Sequence, residues 1–288
     1  MTTAANVQCP YVRRFVLGVG FALLACRAGP TDGRVPSPRI VSLLPNVTEI
    51  LFEIGMGDHL VGATRYCTRP EAARSIPRVG GILDVSFEAV VGARPDLVIG
   101  SPNVLRGHLR ETLDQMGVRV VTLTFETFED LLSGVTAIGA AIQRPEAARA
   151  LRESMERDLD RLEDLLRRDP ALRVLWVVGR SPLVVAGPTS FLGTLMDRMG
   201  VVNVVPAGPV AYPTWSLEQV LRADPDLIVD GANESSDLAA VLASARVRAA
   251  REGRVVRIPD EAVIRPGPAT ARAAIALAGA IRRALESR

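Results

Sequence analysis

The chain has 288 residues, enough for two modest domains or one large one, and its 48% hydrophobic and 23% charged residues are ordinary for a packed globular protein. A formal charge of +2 argues neither for nucleic acid nor for an acidic partner. All 34 basic residues are Arg, which excludes any mechanism built on lysine, whether a Schiff base or a phosphate-binding loop ending in Gly-Lys.

The N-terminus reads as a targeting segment. Arg13 and Arg14 precede the apolar run Phe15 to Ala25, too short to span a bilayer as a mature helix. It ends at Leu23-Leu24-Ala25-Cys26, as a bacterial lipoprotein signal does, with Cys26 as the lipid-bearing residue. Residues 1–26 are therefore expected to be removed or processed as a signal, and the Pro/Gly-rich residues 27–37 to form a linker. With Cys9 in the signal and Cys26 acylated, Cys67 is left as a lone thiol, and no internal disulfide is available. It reads as a small buried hydrophobe.

From Arg39 the pattern is one of alternating strands and helices. "RIVSLL" predicts a short buried strand. "NVTEILFEIGMG" predicts a helix with Asn46 as N-cap and Glu49 three residues on, as in a capping box. "LVGAT" predicts a second strand. In "SFEAVVGARPDLVIG" Ser86 caps a helix from Phe87 to about Ala93, Pro95 blocks its continuation, and "DLVIG" is a strand. "GHLRETLDQMG" and "VRVVTLTF" predict the next helix and strand. The apolar runs are continuous, as in parallel strands covered on both faces.

Residues 145–168 break the alternation. Pro145 opens a stretch without Gly in which Leu151, Met155, Leu159, Leu162 and Leu166 recur at helical spacing. This predicts one helix of more than twenty residues, ended by Asp169-Pro170. Strands and helices then resume through "RVLWVVG", "TSFLGTLMDRMG", "VVNVV", "SLEQVLRAD", "DLIVD", "VVRIP" and a last Ala-rich helix. "SLEQVLRADPDLIVD" repeats "SFEAVVGARPDLVIG" with seven of fifteen positions identical, among them Ser86/Ser216, Glu88/Glu218 and Asp96/Asp226. The predicted fold is thus α/β: two Rossmann-like lobes with parallel sheets, 38–142 and 171–288, joined by a helix at 143–170. A single stiff connection implies limited hinge motion.

Ligands of open α/β sheets bind beyond the carboxyl ends of the strands. There the chain places Tyr66, Tyr212 and Trp215, three of few aromatic residues, which suggests a lined pocket for a large, partly apolar ligand. His59 and His108 are the only histidines, too few and too scattered for a metal site or a hydrolytic triad, so neither catalytic nor metal-ligating residues are expected. Glu88 and Glu218 sit in the first turn of their helices, where the dipole favours an acid. Equivalent acids on two lobes also suit docking on paired arginines of a two-fold partner.

The segments "RIVSLLPNVTEILFEIGMGDHLVGATRYCTRPEAARSIPRVGG", "SFEAVVGARPDLVIG" and "RPGPATARAAIALAGAI" resemble the helical-backbone substrate-binding proteins of bacterial ABC importers, over residues 38 to 285. "TRYC…P…VGG" and "IRPGP" look most like the cobalamin-binding branch; ferric-siderophore and haem binders share the class. The resemblance implies a non-enzymatic, exported, periplasm-facing lipoprotein, expected as a monomer, with no cofactor of its own. It would capture a corrinoid between the lobes and deliver it to a permease dimer with ATPase subunits. It implies ligand contacts at Leu44, Pro45, Asn46, Tyr66, Ser101, Phe191, Tyr212, Trp215 and Arg265, and permease docking through Glu88 and Glu218. The segment "SPNVLRGH" departs from the Trp-bearing loop of some cobalamin binders. Arg65, Arg106, Arg180 and Arg265 would also suit an anionic siderophore or haem propionates. A sensor or enzyme on the same two-lobe fold is the distant alternative.

Overall fold

A computed structural model describes residues 38–166, 171–232 and 237–286. The signal segment with Cys26, the linker and the predicted helix end at Asp169-Pro170 lie outside them. The first lobe runs β1 (Ile40–Ser42), α1 (Pro45–Glu53), β2 (Leu60–Ala63), α2 (Phe87–Gly92), β3 (Leu97–Gly100), α3 (Gly107–Gln115), β4 (Arg119–Thr122) and α4 (Phe128–Ala141). Its sheet is parallel throughout, in the order β2-β1-β3-β4. The long helix α5 (Pro145–Leu166) follows. The second lobe contains β5 (Arg173–Arg180), β6 (Leu183–Val185), α6 (Phe191–Arg198), β7 (Val202–Asn203), α7 (Leu217–Ala223), β8 (Leu227–Asp230), α8 (Leu238–Ser244), α9 (Arg248–Arg251), β9 (Val255–Arg257) and α10 (Thr270–Glu286).

The second sheet has the order β6-β5-β8-β9, with β7 on the start of β5. One strand departs from the parallel expectation. Only Ser181 and Pro182 separate β5 from β6, too few for a crossover, so β6 pairs antiparallel as a hairpin. A second correction concerns α1. Leu44, not Asn46, is its N-cap, Pro45 is its first residue, and the Asn46 side chain only accepts the adjacent amide of Val47 at 3.1 Å. The capping box with Glu49 does not form.

The continuous apolar runs are explained by burial on both faces. In β3, Leu97 and Ile99 enter one core while Val98 enters another; in β5, Val174 and Trp176 alternate with Leu175 and Val177. The outer faces form separate cores, one per lobe. The inner faces of both sheets join a single core beneath α4, α5 and α10. Leu151, Met155, Leu159, Leu162 and Leu166 of α5 are all buried in it. Gly139 lets α4 approach α5, since a Cβ there would stand 2.2 Å from that of Ala148.

The repeated segment has a structural explanation at nearly every identical position. Ser86 and Ser216 cap α2 and α7, each accepting an amide at 3.2 Å. Val90, Val220, Leu97 and Leu227 are fully buried. Asp96 accepts the amide of Arg39 at 2.8 Å, and Asp226 that of Arg173 at 3.1 Å; the same two arginines donate to the carbonyls of Ala93 and Ala223 at 2.7 and 2.8 Å. The unit thus ties the start of the first strand of its lobe to the strand beside it. Glu88 and Glu218 are outside this scheme. Both are exposed and accept hydrogen bonds from their own helical unit, Glu88 from Ser86 and Glu218 from Arg222.

Because both inner faces share one core, the lobes should unfold together. Leu162→Ala should cost about 2–5 kcal/mol and lower one calorimetric transition as a whole. Two transitions, only one of them moved, would show that the lobes are independent.

Candidate functional site

The parallel strands of each lobe end in loops at one edge of its sheet, and the loops of the two lobes meet. Arg69, after β2, reaches Asp260, after β9, at 3.0 Å. Glu53 of α1 and Arg272 of α10 stand 3.4 Å apart. Beside them lies a cavity of about 420 Å3 lined by Glu49, Phe52, Glu53, Arg69, Pro70 and Ala269, hence by both lobes. Away from this junction the lobes meet through rings, Phe128 stacking on Phe191 at 6.0 Å.

The first-lobe wall is built by two tied loops. The Arg78 guanidinium donates to the carbonyls of Thr64, Cys67 and Ala73, each at 3.0 Å, and fixes the turn after β2. Cys67 is buried in that turn, 3.2 Å from the Thr64 hydroxyl, as a packing residue. Tyr66 stands at its tip, 50% exposed. Arg65 lies over the Tyr66 ring, 5.6 Å from its centroid, and pairs with Asp84 of the next loop. Hydrogen bonds to Tyr66 and Asp84 raise Arg65 above its ordinary value, so its charge serves the loops. That second loop carries Leu83, 98% exposed. Ile82, Leu83, Val85, Ser101, Asn103 and Arg106 are among the residues around a cavity of about 500 Å3.

In the second lobe the segment Val210–Trp215 is pinned by backbone bonds, Gly187 to Ala211 at 2.8 Å and Trp215 to Leu183 at 2.8 Å. Tyr212 is 40% exposed on it. Burial raises the Tyr212 phenol above its ordinary value, while hydrogen bonds with Ser190 and the backbone of Leu192 and Phe191 pull it the other way. Trp215 lines a separate cavity of about 220 Å3 with Arg180, Leu183, Leu217, Leu238, Val241 and Leu242. The Arg180 side chain is buried and paired to Asp230 at 2.6 Å.

The expected contacts are thus dispersed. Ser101 and Trp215 line cavities of different lobes. Leu44, Pro45 and Asn46 are half-buried at the start of α1. Arg265 is exposed and paired to Glu261 at 3.1 Å. Phe191 is buried in the shared core, its ring stacked on that of Phe128. Arg106, one of the four arginines singled out for an anionic ligand, does stand on this wall, whereas Ile82, Leu83 and Asn103 are not among the expected contacts. Their signal was an apolar pair placed in a turn, Ile82-Leu83 after Gly80-Gly81, where solvent exposure is the rule. His108 stacks on Phe87, and among the described residues no three His, Cys, Asp or Glu side chains gather to hold a metal.

Two α/β lobes meeting at their strand ends around these cavities define a two-lobed binding protein. Residues 40–262 match the periplasmic binding protein family, and the chain belongs to that family. It is 24% identical over 208 residues to the vitamin B12-binding protein of Vibrio campbellii, covering 72% of this chain and 76% of the relative. Among solved structures it is similar to the periplasmic vitamin B12 binding protein BtuF of Vibrio cholerae, with a TM-score of 0.74, 23% identity and coverage of 88% and 99%. It is also similar to a periplasmic heme binding protein from Pseudomonas aeruginosa, with a TM-score of 0.72, 28% identity and coverage of 85% and 92%. Its relatives are binding proteins rather than enzymes, and membership implies an exported, periplasmic protein. No helix among the described residues is long and apolar enough to cross a membrane.

Glu49 gives the junction a pH dependence. Burial raises its carboxyl above the ordinary range; Arg69 and Arg265 pull it down, and Glu53 and Asp260 push it up. The unfolded chain therefore releases this proton at lower pH than the folded protein, and native stability is lost as pH rises through that interval. Glu49→Gln should melt higher than the parent at pH 7, with the gain fading toward pH 4. A gain that does not change with pH would contradict this.

Proposed function

We propose that the protein is the solute-binding lipoprotein of an ABC importer, anchored through Cys26, and that it captures a cobalamin-type corrinoid between its lobes without covalent chemistry. The observation that carries the ligand class is the first-lobe wall. Exposed Leu83, with Ile82 and Val85, offers an apolar surface rimmed by Ser101, Asn103 and Arg106. That suits a flat macrocycle fringed with amides, and small-molecule sites usually combine an apolar lining with a few placed polar groups. The curated relatives named for vitamin B12 support the same choice.

One observation favours a second reading, haem or another ferric chelate. Tyr66 presents a half-exposed phenol, an oxygen donor of the kind that can serve ferric haem as an axial ligand. The similarity to a heme binding protein accords with this.

Calorimetric titration separates the readings. Cyanocobalamin should bind one-to-one with submicromolar affinity, and haemin should bind far more weakly. No heat and no thermal shift with cyanocobalamin, but saturable binding of haemin with a tyrosinate-type visible spectrum, would transfer the protein to the second reading.

For delivery, Glu88 and Glu218 are the residues of choice. They occupy the same point of the repeated unit in each lobe, they are exposed, and the fold uses neither beyond a local contact. A permease dimer with its ATPase subunits offers the two-fold partner that such a pair fits. Glu88→Ala combined with Glu218→Ala should abolish uptake and leave ligand affinity unchanged. Lost affinity in the double variant would refute the docking role.

A further inference from the structure

The repeated helix–strand unit is packed differently in the two lobes. After the capping serine of the first lobe comes Phe87, whose ring stacks on His108 of α3 at 4.8 Å between centroids and 19° between planes. The corresponding residue of the second lobe is Leu217. There the helix after the inner strand is α8, and it presents Leu238, Val241 and Leu242. Where the first lobe has a ring stack, the second has the cavity of about 220 Å3. Its lining joins Arg180 and Ser181 to apolar side chains, of which Leu217 is 41% and Val241 47% exposed; Leu221, outside the lining and one turn along from Leu217, is 44% exposed. Exposed apolar side chains gathered in one place, rather than scattered singly, are what an interaction surface presents. The cavity falls below the ~300–1,000 Å3 of drug-sized ligand sites, so it fits a side chain rather than a macrocycle.

The charge beside it sets the occupant. Glu218 directly follows Leu217, and its carboxylate is 78% exposed, held only by Arg222 at 2.8 Å. We infer that the cavity receives an apolar side chain of the importer's permease, presented by the same element that brings a cation to Glu218. The inference rests on the docking role proposed for Glu218. It adds that the two lobes dock unequally: the first through its acid, the second through an acid and an apolar anchor. The anchor is desolvated on docking, which is where interface energy concentrates.

The test uses the chain with the permease dimer and its ATPase subunits in nanodiscs, and reads permease affinity, cyanocobalamin affinity and melting temperature together. Leu217→Asp and Val241→Asp should each weaken permease binding about tenfold or more, with ligand affinity and melting temperature at parental values. Both side chains are partly exposed, so at least one variant should fold, and either one serves. Parental permease affinity in a folded variant, beside a loss in Glu218→Ala, overturns the anchor and leaves the docking role standing. No loss in Glu218→Ala overturns the docking role and the anchor with it. Weaker ligand binding with unchanged permease binding assigns the cavity to the ligand and overturns the inference. Loss of self-association in place of permease binding assigns it to a second copy of the chain, with the same consequence.

Discussion

The structure depends on one constraint: two sheets bury their inner faces in one core, closed by α5. The central strands β1, β3, β5 and β8 must be apolar on both sides, since the outer face of each fills a core of its own lobe. Neither lobe can then part from α5 without exposing Leu151, Leu159, Leu162 and Leu166, each of which is worth about 1.5–3 kcal/mol when fully buried. The ring stack of Phe128 on Phe191 belongs to this rigid side. Around Arg69, Asp260, Glu53 and Arg272 the lobes meet instead through half-exposed ion pairs, and such pairs are worth little. Relative motion of the lobes costs least there, beside the cavity that both lobes line.

The same constraint explains the repetition along the chain. A two-layer lobe needs a capped helix, a buried turn of valine, and an acid to receive the amide that opens the neighbouring strand. Ser86, Val90 and Asp96 meet those needs in one lobe, and Ser216, Val220 and Asp226 in the other. What packing requires twice it keeps twice. Glu88 and Glu218 recur with no part in packing beyond the first-turn position that favours an acid, and that contrast makes them candidates for contact with something outside the chain.

Much of the fold was legible because burial writes period and continuity into sequence. The predicted spacing of α5 matches the buried stripe residue by residue, and Ser86 and Ser216 cap where their positions foretold. Helix α4 was not marked, because Gly134 and Gly139 dilute its pattern; those glycines serve close packing against Phe125 and Ala148. The cap of α1 lies two residues before the expected Asn46, since Pro45 fits the first helical position and leaves Leu44 outside. The antiparallel β6 turned on a two-residue connection that an apolar run does not reveal. The site was harder to read, for a reason that is physical: a wall residue is defined by neighbours far away in sequence. Phe191, an aromatic near a strand end, is claimed by the core, whereas Leu83, an aliphatic in a turn, is left to solvent.

The arginines show how this accounting bears on the ligand. A chain whose basic residues are all Arg looks equipped for an anionic cargo, and Arg65, Arg106, Arg180 and Arg265 lie near the strand ends. Yet Arg65 is paired to Asp84, Arg180 to Asp230 and Arg265 to Glu261, while Arg78 spends its donors on three carbonyls of the Tyr66 turn. A propionate or a catecholate seeking Arg65, Arg180 or Arg265 would have to compete with these acids. A cargo whose fringe is made of neutral amides asks for no such exchange. It needs an apolar face, with polar groups such as Ser101 and Asn103 at its edge, and the first-lobe wall has that composition. Three of these four arginines are held by acids of the chain, which accords with the neutral cargo proposed above; Arg106, exposed on the rim of the same wall, leaves a place for one acidic group.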